Sequence, residues 1–157
     1  REAGAEVLEF ALRGLRVAPC TACEACHGPA KRCAIKDDMQ AIYEAIRGAS
    51  ALVFASPVYW FSVGAQLKAA IDRLYAFGGE NWAPLRGKRY AVVLTYGDED
   101  IYSSGGINAV RSFEDSFRFL GAGRAEFLYG SADKPGDIEA DQELMDRAFE
   151  LGKRLGA

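Results

Sequence analysis

With 157 residues, half of them hydrophobic, the chain can bury one substantial core and needs only one domain, residues 1–157. Nineteen basic residues against 22 acidic ones leave a net charge of -3 with no basic run, which argues against DNA or RNA as a partner. No apolar stretch reaches the length that crosses a bilayer and no charged-then-apolar leader is seen, so membrane insertion is not expected and the cytoplasm is the default compartment.

In chain order, Arg1-Glu2-Ala3-Gly4 reads as the tail of a helix closed by glycine, which implies a segment upstream. A strand is predicted over residues 6–12, and its charged residues and imperfect alternation place it at a sheet edge. After a cysteine-bearing loop, Asp37 or Asp38 caps a helix whose Met39, Ile42, Tyr43 and Ile46 recur at helical spacing, with Gly48 ending it. Leu52-Val53-Phe54-Ala55 reads as a strand covered on both faces and stopped by Pro57, which has no N–H for a ladder. Ser62 then caps a helix carrying Val63, Leu67, Ala70, Ile71 and Leu74 on one side. Residues 88–95 form the next strand and run into the polar loop Tyr96-Gly97-Asp98-Glu99-Asp100. A helix over about 108–120 buries Val110, Phe113 and Phe117, followed by a strand at 125–129 and a helix over about 138–155. This alternation predicts an α/β fold, a doubly wound parallel sheet with helices on both faces.

Two irregular segments, 20–36 and 97–106, are where function should concentrate. The first holds all four cysteines, spaced Cys20-x2-Cys23-x2-Cys26-x6-Cys33. Thiols this close converge on one centre at little cost in chain closure, and disulfides are unusual in a reducing compartment. Two consecutive x2 spacings suit an iron–sulfur cluster better than the separated pairs of a structural zinc site; zinc and ordinary unligated thiols stay as the other readings. His27, the single histidine, sits beside Gly28-Pro29 and reads as a solvated side chain. At the carboxyl end of the 52–55 strand, Tyr59, Trp60 and Phe61 stand where ligands of open parallel sheets bind, a place for a flat ring, although three aromatics also suit a hydrophobic seam or a subunit contact.

Taken together, Pro19-Cys20-Thr21-Ala22-Cys23-Glu24-Ala25-Cys26, Cys33-Ala34-Ile35-Lys36-Asp37-Asp38-Met39, Ser56-Pro57-Val58-Tyr59-Trp60 and Leu67-Lys68-Ala69-Ala70-Ile71-Asp72-Arg73 resemble the NAD(P)H-dependent FMN reductases of the flavodoxin-like superfamily. Within that family the iron–sulfur flavoproteins are the most similar subgroup. The resemblance implies a five-stranded parallel sheet of order 2-1-3-4-5, FMN at the topological switch point, and NAD(P)H as reductant. The family's first strand and its phosphate-cradling loop have no counterpart here, so the phosphate ligands are expected upstream of Arg1.

Carried over by position, Ser56, Pro57, Val58, Tyr59, Trp60 and Phe61 border the flavin ring, and Tyr96, Gly97, Ser103, Ser104, Gly105 and Gly106 form the opposite wall. The resemblance to the iron–sulfur flavoproteins further implies Cys20, Cys23, Cys26 and Cys33 as the ligands of a [4Fe-4S] cluster that would take electrons from FMN. Because the flavin carries the redox chemistry, no catalytic side chain is implied. The expected function is an oxidoreductase delivering electrons to a quinone or protein acceptor, working as a homodimer or homotetramer. A cluster-free FMN, quinone or azo reductase is the alternative within enzymes; outside them it is a nonenzymatic flavodoxin-type carrier.

Overall fold

The computed structural model describes residues 4–122 and 125–157. Residues 1–3, most of the expected helix tail, lie outside the described residues. The elements run α1 (Met39–Gly48), β1 (Ala51–Tyr59), β2 (Ser62–Val63), α2 (Ala65–Arg73), β3 (Arg89–Tyr96), α3 (Gly106–Phe119), β4 (Ala125–Ser131) and α4 (Gln142–Gly156), with 3-10 turns at Leu12–Gly14, Ala25–His27, Leu74–Glu80 and Asp137–Ala140.

Among the described residues their sheet has four strands in the order β2-β1-β3-β4, where the family resemblance implies five parallel strands in the order 2-1-3-4-5 with the first of them lying upstream. β1, β3 and β4 are parallel, with Ala51 to Pro57 set against Arg89 to Thr95, while β2 turns back antiparallel on the end of β1. Segment 6–12 is not a strand, and only the 3-10 turn at its end is regular. Phe10, Leu12, Leu15 and Val17 instead pack half-buried on the core, so the segment is held by side-chain burial rather than by a ladder.

Helices α1, α2 and α3 close one face of the sheet. There Phe54, Tyr90, Phe113 and Phe117 pile ring on ring, with Tyr90 and Phe117 stacked at 4.4 Å between centroids. Helix α4 closes the other face over β3 and β4, where Ala91 and Leu128 meet Leu144 and Leu151. It stops short of β1, whose outward residues Val53, Ala55, Pro57 and Tyr59 stay exposed, Val53 by 55%. Among the described residues, 52–55 are therefore covered on one side only, where the sequence predicts two. The parallel ladder with β3 ends at Pro57, as its missing N–H predicts, and β1 runs on to Tyr59 only in the antiparallel pairing with β2.

Candidate functional site

Ser62 does not cap α2 as predicted; it pairs with Tyr59 in the ladder of a two-residue hairpin, and Gly64 is the N-cap. The hairpin is tied down from below, where the buried Ser56 accepts at Oγ from the Gly64 N–H at 2.9 Å and donates to the Pro57 carbonyl at 2.7 Å. That hydroxyl is thereby committed to the backbone.

Trp60 and Phe61 form the two-residue tip, with φ of 47° and 64°. Two successive left-handed residues are what a type I′ hairpin requires, and Asn-Gly normally supplies them. Two aromatic side chains here store strain on the order of 1 kcal/mol each, a pattern associated with ligand-handling loops. Trp60 stands 93% exposed. Phe61 folds against the glycine turn before α3, close enough that a Cβ on Gly105 would lie 2.2 Å from its ring, and its carbonyl accepts from Asn108 Nδ2 at 3.3 Å.

The loop after β3 is shaped by Asp100, whose Oδ1 accepts from the N–H groups of Tyr102 and Ser103 at 2.7 and 2.8 Å; these bonds hold the carboxyl below its ordinary range. Ser103 Oγ stays within this turn, and Ser104 Oγ donates to the Ile101 carbonyl and accepts from Gly106 N–H. A Cβ on Gly106 would meet Ile101 and Val58, so β1 and the loop touch directly. Val58, Phe61, Ser104, Gly105 and Gly106 thus come together. Tyr96 is buried at the end of β3, and Gly97 turns toward Asp133. The N–H groups of Gly106, Ile107 and Asn108 are all bonded within the loop, so the α3 N-terminus offers no open cradle for phosphate at those positions.

At the far end of α2 from the hairpin, the cysteine loop passes through left-handed Ala22 and Glu24, one between each of the first two pairs of successive cysteines. Cys20 accepts at Sγ from the Ala22 N–H at 3.5 Å. The Ala25 backbone and the Thr21 side chain lower the Cys23 thiol. Burial raises the Cys26 thiol, its own backbone N–H works against that, and nearby Cys33, Glu24 and Cys20 push it further up. In donor chemistry, four thiols, with backbone N–H groups meeting Cys20, Cys23 and Cys26, fit an iron–sulfur centre. In geometry, no three His, Cys, Asp or Glu side chains gather at one point suited to a metal among the described residues.

His27 is not simply solvated. Its ring stacks on Tyr75 at 4.5 Å, with Nδ1 3.6 Å from the Glu24 carboxylate. The loop seats on the Leu74–Glu80 turn so closely that a Cβ on Gly79 would lie 2.2 Å from the Cys26 carbonyl oxygen. Gly79→Ala is therefore expected to lower stability by about 1–3 kcal/mol, since backbone cannot swing aside as a side chain does. A urea midpoint that falls together with faster labelling of Cys26 checks it.

A mixed, mainly parallel α/β sheet whose strands end at an aromatic hairpin and a glycine turn is that of a flavodoxin-like protein. The chain belongs to the NADPH-dependent FMN reductase family, whose profile matches residues 1–126. It is 36% identical over 155 residues to an iron–sulfur flavoprotein of Methanosarcina thermophila, covering 99% of this chain and 79% of that one. An iron–sulfur flavoprotein of Archaeoglobus fulgidus is 39% identical over 97 residues, covering 62% of this chain; the match spans 49% of that protein, about half its length. Among solved structures, the Trp repressor binding protein from Bacillus subtilis superposes with a TM-score of 0.64 at 28% identity, over 77% of this chain and 71% of that one.

Proposed function

We propose that this chain is the FMN-holding domain of an NAD(P)H-dependent oxidoreductase that delivers electrons to a quinone or a protein acceptor, with Cys20, Cys23, Cys26 and Cys33 as ligands of a [4Fe-4S] cluster. The observation that carries the flavin part is the contact of Phe61 with Gly105: a strained aromatic hairpin meets a side-chain-free turn beyond the strand ends. FMN, when bound, supplies hydride acceptance and one-electron donation. The chain's own contribution is a wall and a rim. Val58 and Phe61 present apolar surface, Gly105 and Gly106 let backbone approach a ring, and Tyr59 and Trp60 limit entry from solvent. Tyr96, Gly97, Ser103 and Ser104 shape the far side, and Ser56 and Pro57 set the hairpin's root.

A five-stranded sheet of order 2-1-3-4-5 accommodates the unpaired edge and bare face of β1, where a central strand and its helix would dock, offer segment 6–12 a strand to pair with at the edge, and bring the phosphate ligands. Residues 1–157 then form one flavodoxin-like domain with that unit. The four free thiols suit a reducing, cytoplasmic compartment, and a homodimer or homotetramer would let one subunit's cysteine loop serve another's flavin. The second reading is a cluster-free FMN, quinone or azo reductase, favoured by the ungathered ligands.

The test is made on the full-length protein purified without oxygen. FMN titration followed by flavin fluorescence should saturate with one flavin per chain, iron and sulfide should be found in equal amounts near four each, and NAD(P)H should be oxidised when a quinone is added. Flavin uptake without iron after reconstitution would leave the cluster-free reductase. Uptake without NAD(P)H oxidation would leave a carrier, and no uptake removes the whole reading.

A further inference from the structure

The cysteine loop is tied at its neck by a residue far from it in sequence. Arg73, the last residue of α2, is 1% exposed, and its guanidinium holds both sides of the neck at once. Nη1 donates to the Ala18 carbonyl at 2.9 Å, just before the first cysteine, and to Asp37 Oδ2 at 2.8 Å, just after the last. Nη2 donates to Asp37 Oδ1 at 3.1 Å and to the Ile35 carbonyl at 3.5 Å. Asp37 completes the knot by accepting from the Ala18 N–H at 2.9 Å, and Tyr43 donates to the Arg73 carbonyl at 2.8 Å.

Helix α2 begins at the other site. Its N-cap Gly64 is bonded to Ser56 under the aromatic hairpin, so nine helical residues, about 13 Å at 1.5 Å each, separate the hairpin's root from the loop's neck. A guanidinium suits this place because its planar fork meets a carboxylate and two carbonyls together, whereas an ammonium is a point charge with no such fork.

We propose that Arg73 is the positioning residue of the cysteine loop: through α2 it sets where the four thiols stand relative to the aromatic hairpin and the glycine turn. The clamp itself holds whether or not a cluster binds. Only its consequence for iron rests on the function proposed above.

The test compares the full chain with Arg73→Lys, both loaded with FMN, by maleimide labelling of each cysteine with mass mapping, before and after anaerobic reconstitution with iron and sulfide. Before reconstitution, Cys26 in R73K should label about tenfold faster while the FMN dissociation constant stays within about twofold, a split that general destabilisation would not produce. After reconstitution, the parent should protect all four thiols and R73K should not. Cys26 labelling within twofold of the parent overturns the proposal, and so does a parallel loss of FMN affinity. A parent that takes up no iron sinks the cluster reading and leaves the first comparison standing. If R73K does not fold, Tyr43→Phe loosens the same clamp and should speed Cys26 labelling about threefold; an unchanged rate overturns the proposal.

Discussion

Asp37→Ala is expected to destabilise the folded chain by about 3–5 kcal/mol, the range found when one partner of a buried ion pair is removed and the other charge stays uncompensated. The Asp37 and Arg73 side chains are 8% and 1% exposed, so water has little access to the guanidinium left behind. The loss also strips acceptors from the N–H groups of Ala18 and Met39. Unfolding in urea with an unchanged slope and a lowered midpoint measures it.

The same pair predicts the response to acid. Burial alone would raise the Asp37 carboxyl, but hydrogen bonds from Arg73 and from the Ala18 and Met39 N–H groups, with the Arg73 charge, hold it below the ordinary carboxylate range. A group whose folded value is depressed contributes stability above its unfolded value, about 3.9 for aspartate. That contribution falls away as pH drops from there through the folded value. Acid unfolding of the parent should therefore steepen below about pH 4, and Asp37→Ala, lacking the group, should lose that component. A variant with the parent's acid profile shows that Asp37 is not the group responsible.

Most of the architecture was legible in the sequence because helices and buried strands write their periods into it. Met39, Ile42, Tyr43 and Ile46 are all buried on α1 as their spacing requires, and Tyr90, Ala91, Val92 and Leu94 lie buried in β3. The errors fall where the decisive partner is distant. A strand at 6–12 needs a neighbour to bond with, and none of the described residues supplies one. For 52–55, α4 does not reach the second face, so among the described residues only one side is covered.

The hairpin at Trp60 and Phe61 was illegible for a different reason: its turn type is signalled by Asn-Gly, and here the backbone adopts that conformation against residue preference. Arg73 looked like an ordinary end of an amphipathic helix beside its loop of thiols. Only the fold shows that it pairs with a carboxylate 36 positions away in the sequence. The rim was partly legible: the aromatic run and Gly105-Gly106 were singled out, but not the direct contact of Phe61 with Gly105, nor the commitment of Ser56 Oγ to Gly64.

That contact allows a prediction with its own internal control. Gly105 holds φ at +70°, and an added Cβ would lie 2.2 Å from the Phe61 ring; Gly87 holds φ at +72° with nothing within 4 Å of the same position. Alanine at either site incurs the same left-handed backbone cost, about 1–2 kcal/mol. Only Gly105→Ala must also drive Phe61 off the turn, taking with it the carbonyl bonded to Asn108 and the narrow gap where the two walls meet. Both variants should therefore lose similar stability from the backbone, with G105A losing more. FMN affinity should fall about tenfold or more in G105A, a cost of about 1.4 kcal/mol or greater, while G87A binds as the parent does. Flavin fluorescence titration of the two side by side decides it. Equal affinities would mean that the ring does not use this wall, and the placement of FMN against Phe61 would have to be abandoned even if the protein proves to carry flavin.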